Sequence, residues 1–340
     1  IPWPIRRYPS TRENLITSLT RALTFALLFA NVAFSAFAAT TDYPSKPVRL
    51  LVPFPPGGGA DAMARIITPK LTERMGQTWV VDNRGGAGGN MATEVVATAL
   101  PDGYSVLLGF NTALAANPAL YKLPFNVLRD LQPVTKLAGG QYVLVLHPSV
   151  PAQTLKDFIA LAKAQPGKLN YSSAGIGSPL HLAAEMFKFR TGLNLVHVPY
   201  KGGGPAAAAA LAGEVQVVFG SVVATLPQVK AGRLRALALT GPKRSAVMPD
   251  VPTLAESGFP GFNVTSWYAF LVPAKTPRPV VTRLFDEAQR ALKLHDVQEA
   301  LARQGLEIET SASPEAFTAE LKEESAAWAQ VIKSAGIKAD

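Results

Sequence analysis

The stretch "VPFPPGGGADAMAR", residues 52–65, decides the fold of this chain. An apolar run gives way, through prolines and three consecutive glycines, to the start of a helical pattern. A strand, a glycine-rich turn and a helix in that order form the repeating unit of α/β folds. A helix that begins this way exposes unpaired N–H groups at its positive end, and glycine lets an anion approach them closely. The stretch therefore predicts an anion-binding turn in an α/β fold.

The same design occurs three more times along the chain. Glycine-rich turns precede the predicted helix starts at Asn90, Pro179 and Pro205, in residues 85–89, 175–178 and 202–204. Proline suits a first helical position, and Ser178 is a good N-cap. Turns of this kind are also ordinary connectors in α/β folds. Two of the four fall in each half of a two-domain arrangement, where they would face a ligand with a negative group at each end.

Short β-rich runs alternate with helical runs from Val48 onward, which predicts a largely parallel sheet. The pattern predicts a loop over residues 111–134, a strand beginning at Tyr142, and two long final helices over about 279–304 and 314–335. If the two ends of the chain share one domain and the middle forms another, two strands cross between them and a ligand lies in the cleft. A simple tandem arrangement also fits the pattern.

Residues 1–38 are typical of a secretory signal peptide. Four arginines precede the apolar run "ALTFALLFANVAFSAFA", and a small-residue pattern ends at Ala38. The run is short for a membrane span, so cleavage near Ala38 is favoured over an uncleaved anchor. Removal of this segment lowers the net charge from +9 to +6, because four arginines and Glu13 are lost. The predicted location is the periplasm, and a modest positive field suits anionic small molecules.

Composition excludes several classes of function. The chain has no cysteine, which excludes disulfides, cysteine-based zinc sites and thiol catalysis. Its basic residues are scattered without aromatic interleaving, so no nucleic-acid partner is expected. No GxSxG elbow, HExxH pair or GxxxxGK[ST] loop occurs. We therefore predict no catalytic residues, no metal and no cofactor.

A dinucleotide site is an alternative for the opening stretch. Gly57, Gly59 and Ala62 follow a predicted strand, and Asp82 lies 25 residues after Gly57. The insertion "PFPP" stiffens a turn that should be tight, and an exported protein has little access to nicotinamide cofactors. The dinucleotide interpretation is therefore disfavoured.

Aromatic and histidine residues beside these turns have two interpretations each. Phe54, Tyr200 and Trp267 stand at strand ends or beside glycine turns, where they either form a cleft wall or pack in the core. His181 lies four residues before Glu185, which favours an ion pair on a helix face over a catalytic role. His147 and His197 lie in apolar strands and are expected to be core residues.

Six ordered motifs carry a resemblance to a known family: "YPSKPVRLLVPFPPGGGADAMAR", "VVDNRGGAGGNMATEVVATALPDGYSVLLG", "KLNYSSAGIGSPLHLAAEMFK", "VHVPYKGGGPA", "LRALALTGPKRSAVMPDVPTLAESG" and "SWYAFLVPAKTP". Together they resemble the periplasmic solute-binding receptors of tripartite tricarboxylate transporters, often called Bug receptors. The similarity covers essentially the whole mature chain in collinear order.

The resemblance implies a two-domain periplasmic-binding-protein fold of the Venus-flytrap type II, with a hinge and an interrupted first domain. Domain 1 would comprise residues 39–140 and 262–340, and domain 2 residues 141–261. The implied function is capture of a small organic carboxylate and its delivery to large and small membrane subunits, without enzymatic activity. A monomer is expected.

The resemblance also implies where the ligand binds, because the family holds its carboxylate mainly by backbone amides and ordered waters. The matching residues here are Phe54, Gly57, Gly58, Gly59, Gly88, Thr112, Gly177, Ser178, Tyr200, Gly203 and Ser221.

One departure from the family pattern bears on the ligand. Many members carry an aspartate in the turn where this chain has Gly220 and Ser221. Its absence disfavours a ligand amine and favours plain mono- or dicarboxylates, although the sequence does not identify which acid. An exported α/β enzyme acting on carboxylates, or a partner of a sensor domain, are the alternative functions.

Overall fold

The apolar run at the start of the deciding stretch forms strand β1, Val48–Val52, whose residues are buried except for the partly exposed Arg49. The computed structural model describes residues 2–4 and 43–335. Contacts divide the chain into residues 1–45 and residues 46–340, and the helices and strands of the described residues all lie in the second unit. The predicted signal peptide, apart from residues 2–4, lies outside the described residues.

The strands after β1 are β2 Trp79–Asn83, β3 Ser105–Phe110, β4 Leu131–Leu146, β5 Asn170–Ser173, β6 Val196–Pro199, β7 Val217–Ser221, β8 Arg235–Leu239, β9 Thr265–Pro273 and β10 Leu306–Ile308. The helices are α1 Gly59–Met75, α2 Asn90–Ala97, α3 Asn117–Leu120, α4 Val127–Asp130, α5 Leu155–Ala164, α6 Pro179–Thr191, α7 Gly203–Leu211, α8 Val222–Lys230, α9 Arg278–Leu292, α10 His295–Arg303 and α11 Pro314–Ala335. A 3₁₀ turn spans Ala87–Gly89, and a π-helical turn spans Thr112–Ala116.

Among the described residues the strands form one curled sheet in the order β2-β1-β3-β9-β4-β7-β5-β6, with β8 and β10 also paired to β4. Strands β1, β2 and β3 are parallel, and so are β5, β6 and β7. Strands β4 and β9 run antiparallel to all their neighbours. The prediction of a largely parallel sheet is therefore wrong at its centre, because two long strands return through it.

Strand β4 joins the two halves of this sheet. Its first part pairs with β9 and β10, and its last residues pair with β7 and β8. The predicted strand start at Tyr142 is eleven residues late, because β4 begins at Leu131. The predicted loop over 111–134 also contains the π-helical turn and helices α3 and α4. Gly139 and Gly140 interrupt the strand pattern in the sequence, because glycine is unfavourable inside a strand, so the predicted start of β4 falls too late.

The final helices follow the amphipathic pattern with one interruption. The predicted helix over about 279–304 is two helices, α9 and α10, which are separated at Lys293 and Leu294. Neither residue is a glycine or proline, so the sequence carries no breaker at this point. Helix α11 begins at Pro314 as predicted.

The core consists of clusters on the two sides of β4. One cluster joins β1, β3 and β9 to helices α2 and α11, and includes Leu51, Leu107 and Phe317. Another surrounds Phe158, Phe187 and Phe219 beneath the last part of β4. The domain limits at residues 140–141 and 261–262 stay a prediction.

Candidate functional site

Four helices begin at one cavity in the sheet's central crevice. Its lining includes Gly58, Gly59 and Ala60 at the start of α1, Pro179 and Leu180 at the start of α6, Gly203 at the start of α7, and Ser221 as the N-cap of α8. The cavity volume is about 30 Å³. The first N–H groups of a helix have no partner within that helix, and the positive dipole end favours negative charge. The convergence of these four starts therefore gives a cavity whose geometry suits an anion.

The loop before α1 is held from its outer side by Asp61. The Asp61 carboxylate accepts hydrogen bonds from the Gly57 N–H at 3.1 Å, from Asn83 Nδ2 at 3.2 Å and from Arg65 Nε at 3.0 Å. Asn83 Nδ2 also donates to the carbonyl of Phe54 at 2.7 Å. Burial raises the pKa of Asp61, but the hydrogen bonds from Arg65, Gly57 and Asn83 outweigh it and hold the pKa below its ordinary value. The loop is thus fixed by a charged network that lies behind it.

Glycine is required at the first position of α1. A Cβ on Gly59 would overlap the hydroxyl of Tyr268, whose ring packs against this turn. Gly58 differs, because it has ordinary extended φ and a Cβ there would meet nothing within 4 Å. The close approach of Tyr268 to the helix start therefore places a phenol hydroxyl beside the backbone N–H groups.

Hydroxyl groups and aromatic rings complete the cavity lining. Tyr142 on β4 and Ser266 and Tyr268 on β9 contribute hydroxyls, while Phe54 and Phe110 form an apolar wall with ring centroids 4.9 Å apart. Burial raises the pKa of Tyr268 to about 12. Burial, helped by repulsion from Tyr268, raises the pKa of Tyr142 well above its ordinary value. Both phenols therefore stay protonated at neutral pH and act as hydrogen-bond donors.

None of the described residues that line this cavity has a charged side chain. The positive potential inside it comes from backbone dipoles, and the hydrogen bonds from uncharged donors. Within the described part of the chain, no group of three or more His, Cys, Asp or Glu residues has metal-binding geometry. The donors and apolar wall suit a small anion with apolar carbon atoms between its polar groups, and the crevice must widen to admit it, because about 30 Å³ holds about one water molecule.

A second loop, residues 174–178, faces the first across the cavity region and is held by neutral groups. The Gly177 N–H donates to His181 Nδ1 at 3.3 Å, and the Gly175 N–H donates to Ser173 Oγ at 3.1 Å. His197 Nε2 lies 2.6 Å from the same Ser173 Oγ, and its ring stacks on His181 with centroids 4.4 Å apart. Burial, together with the neighbouring His181, lowers the pKa of His197 to about 4.

The structure places the predicted site residues in three groups. Phe54, Gly58, Gly59, Gly203 and Ser221 line the cavity.

Neighbours of the lining form the second group. Gly57 directly precedes Gly58, and Ser178 caps α6 by accepting the His181 N–H at 3.3 Å. Gly88 packs against Ile176 and Gly177, which brings two of the glycine-rich turns together.

Thr112 and Tyr200 form the third group, away from the cavity lining. Thr112 is buried in the π-helical turn after β3, and its hydroxyl has no partner among the described residues. The Tyr200 hydroxyl donates to Glu214 at 3.1 Å.

Four residues that line the cavity were not predicted from the sequence: Tyr142, Ser266, Tyr268 and Phe110. Trp267 was the candidate on β9, but its Nε1 donates to Glu324 at 2.8 Å and its ring packs edge-to-face on Phe317 in the core. Successive residues of a strand point to opposite faces, so Ser266 and Tyr268 face the cavity while Trp267 does not. That alternation was the available signal for these two residues.

The histidines take structural positions. The Glu185 carboxylate accepts from Tyr171 OH and pairs with Lys188, both at 2.6 Å. His181 stacks on His197 beneath the second loop. Tyr171 and Lys188 thus bind the Glu185 carboxylate directly, and the expected ion pair of His181 with Glu185 stays a prediction.

The family model described as "Tripartite tricarboxylate transporter family receptor" matches residues 63–337. The chain belongs to this receptor family. Protein BugT of Bordetella pertussis is 37% identical to this family member over 324 residues, which cover 94% of this chain and 99% of BugT.

Solved structures of receptors from Rhodopseudomonas palustris match the fold. Rpa4515, whose structure contains adipate, is 34% identical, with a TM-score of 0.84 over 87% of this chain and 99% of its own. MatC, with bound malate, is 31% identical, with a TM-score of 0.81 over 85% of this chain and 100% of its own. This family member therefore has the α/β fold of periplasmic binding proteins, and its relatives are solute-binding receptors. Among its described residues, no helix has the length and apolar character needed to cross a membrane.

Proposed function

We propose that this receptor captures a small organic carboxylate in the periplasm, between domains of residues 39–140 with 262–340 and residues 141–261. The observation that carries the proposal is the convergence of four helix starts on a cavity without charged side chains. The relatives Rpa4515 and MatC, crystallised with adipate and malate, support an organic acid as the ligand class.

The interaction energies of backbone and hydroxyl donors are large enough to account for carboxylate binding. A helix dipole end contributes about 0.3–2 kcal/mol, and a hydrogen bond to a charged group about 1.5–3 kcal/mol. Micromolar affinity requires about 8 kcal/mol after the costs of ordering. Three or four such hydrogen bonds from the helix starts, the Ser221 hydroxyl and the phenols reach that range.

Binding is best tested with a panel of mono-, di- and tricarboxylates of three to six carbons, by thermal shift and then calorimetry. An acid at one hundred times its dissociation constant should stabilise the protein by about 2.7 kcal/mol. The proposal fails if no carboxylate shifts the unfolding temperature while a sugar or an inorganic cation does.

Closure around the ligand and delivery to a transporter complete the proposal. Strand β4 runs through both halves of the sheet and, with β9 beside it, is the element about which the domains would close. The partners would be the large and small membrane subunits of a tripartite tricarboxylate transporter. The receptor would act as a monomer. Ligand-dependent co-purification with those subunits tests the partnership, and light scattering tests the monomer.

A further inference from the structure

The phenol hydroxyl of Tyr142 is the least satisfied polar group of the cavity. Tyr142 is 2% exposed and lines the cavity, and its hydroxyl has no hydrogen-bond partner among the described residues. The backbone of Tyr142 is fully engaged, since its N–H donates to Thr240 Oγ1 at 3.0 Å and its carbonyl accepts the Thr240 N–H at 2.9 Å. The residue is therefore held rigidly while its hydroxyl is free to serve a ligand.

The groups nearest to this hydroxyl do not satisfy it. Burial raises the pKa of Tyr142, and the nearby Ser266 partly opposes that shift, but Ser266 does not meet the distance and angle of a hydrogen bond to the Tyr142 hydroxyl, and its own hydroxyl donates to the Gly140 carbonyl at 3.3 Å. Tyr268 is itself a protonated donor. Leaving a buried hydroxyl without a hydrogen-bond partner lowers the equilibrium constant for folding or binding by about tenfold to a hundredfold.

The chemistry at this point of the cavity favours a neutral oxygen. A carboxylate gains most at the helix starts, where the dipoles offer positive potential. Beside Tyr142 and Tyr268 no cation lines the cavity, so a second full charge would lack a counter-charge there. A hydroxyl or keto oxygen accepts the phenol hydrogen without bringing a charge.

We propose that Tyr142 is a specificity-determining residue that selects acids bearing a hydroxyl or keto oxygen over unsubstituted acids of the same chain length. The inference rests on the proposed carboxylate function and adds the class of acid to it. A methylene group in place of the oxygen would leave the Tyr142 hydroxyl buried and unpaired.

Matched acids test the inference by calorimetry: propionate against lactate, succinate against malate, and glutarate against 2-oxoglutarate. We expect the wild-type protein to prefer the oxygen-bearing member of at least one pair by tenfold or more. In Tyr142→Phe that preference should fall to within threefold, through weaker binding of the oxygen-bearing acid.

Thermal unfolding without ligand provides the control for folding. Tyr142→Phe removes an unpaired hydroxyl, so its unfolding temperature should equal or exceed that of the wild type. Tyr171→Phe should lower the unfolding temperature, because the Tyr171 hydroxyl donates to Glu185 at 2.6 Å, but it should keep the wild-type preference.

Three results overturn the inference. If the wild type binds the acids without preference in any pair, or if Tyr142→Phe keeps the preference, Tyr142 does not select the ligand although the carboxylate function stands. If the wild type binds none of the six acids and no member of the wider carboxylate panel, both proposals fail together. If Tyr142→Phe does not fold, Tyr142→Met takes its place in the same comparison, and a kept preference again overturns the inference.

Discussion

The two loops that face each other at the cavity are held in place by opposite means. The first loop, residues 53–58, is held by the charged network of Asp61, Arg65 and Asn83. The second loop, residues 174–178, is held by neutral Ser173, His181 and His197. A loop at this cavity can thus be held with or without charged side chains. We therefore expect the two loops to respond differently to side-chain truncation and to low pH.

Removal of the Asp61 side chain should have the largest effect. Asp61→Ala leaves Asn83, Arg65 and the Gly57 N–H without their shared acceptor, and the buried side of that network makes the loss costly. We expect a loss of about 2–3 kcal/mol in the free energy of unfolding and tenfold or weaker carboxylate binding. Chemical denaturation and calorimetry measure the two effects.

The matched control is Glu299→Ala, which removes a carboxylate from exposed ion pairs with Arg303 and His295 on helix α10. Exposed pairs contribute less than about 1 kcal/mol, and Glu299 lies away from the cavity lining. Equal effects of the two substitutions would contradict the role of Asp61 as the support of the first loop.

Lowering the pH should destabilise the hydrogen bonds that hold the second loop before those that hold the first. The folded pKa of His197 is about 4, below its ordinary 6.5, so the unfolded chain binds more protons between these values. Stability therefore falls as pH drops from 6.5 to 4, by about 1–2 kcal/mol once partial exposure is allowed for. The neighbours that set this pKa are His181, Glu185 and Lys188.

Denaturation curves from pH 7 to pH 4 for the wild type and His197→Gln measure this slope. The variant should be less stable at pH 7 and should show a flatter profile over the same window. An unchanged slope would assign the acid sensitivity to other groups.

Loss of the helix cap in the second loop should have the smallest effect. Ser178→Ala removes the N-cap of α6 and should cost about 1 kcal/mol of stability, with a two- to fivefold loss of affinity. Thr154→Ala removes the N-cap of α5, whose side chain accepts the Asp157 N–H, and should cost a similar free energy with no change in affinity. An equal loss of affinity in both variants would show that only global stability is being measured.

The sequence predicts the helix starts at the cavity well, because glycine, proline and serine mark them locally. Gly58, Gly59 and Gly203 belong to such signals and line the cavity, whereas the predicted start at Asn90 does not line it and Ser221 was expected there only from the family resemblance. These residues are recognisable because a turn and a cap depend on a few consecutive positions.

Other features depend on distant pairing and leave weaker local marks. The length of β4 is set by its pairing with β9, β10, β7 and β8, and Gly139 and Gly140 conceal it. Tyr142 and Tyr268 reach the cavity only because their strands are neighbours in the sheet. Strand alternation would have separated Tyr268 from Trp267, but the register that places Tyr142 opposite Ser221 is a tertiary property.

The central claim is that uncharged backbone and hydroxyl donors hold a carboxylate in this cavity. Calorimetry with the tightest-binding acid and with its amide, which has the same shape but no charge, tests it most directly. The account predicts at least a hundredfold weaker binding of the amide, since the helix starts act on negative charge. Equal affinity for acid and amide would contradict it.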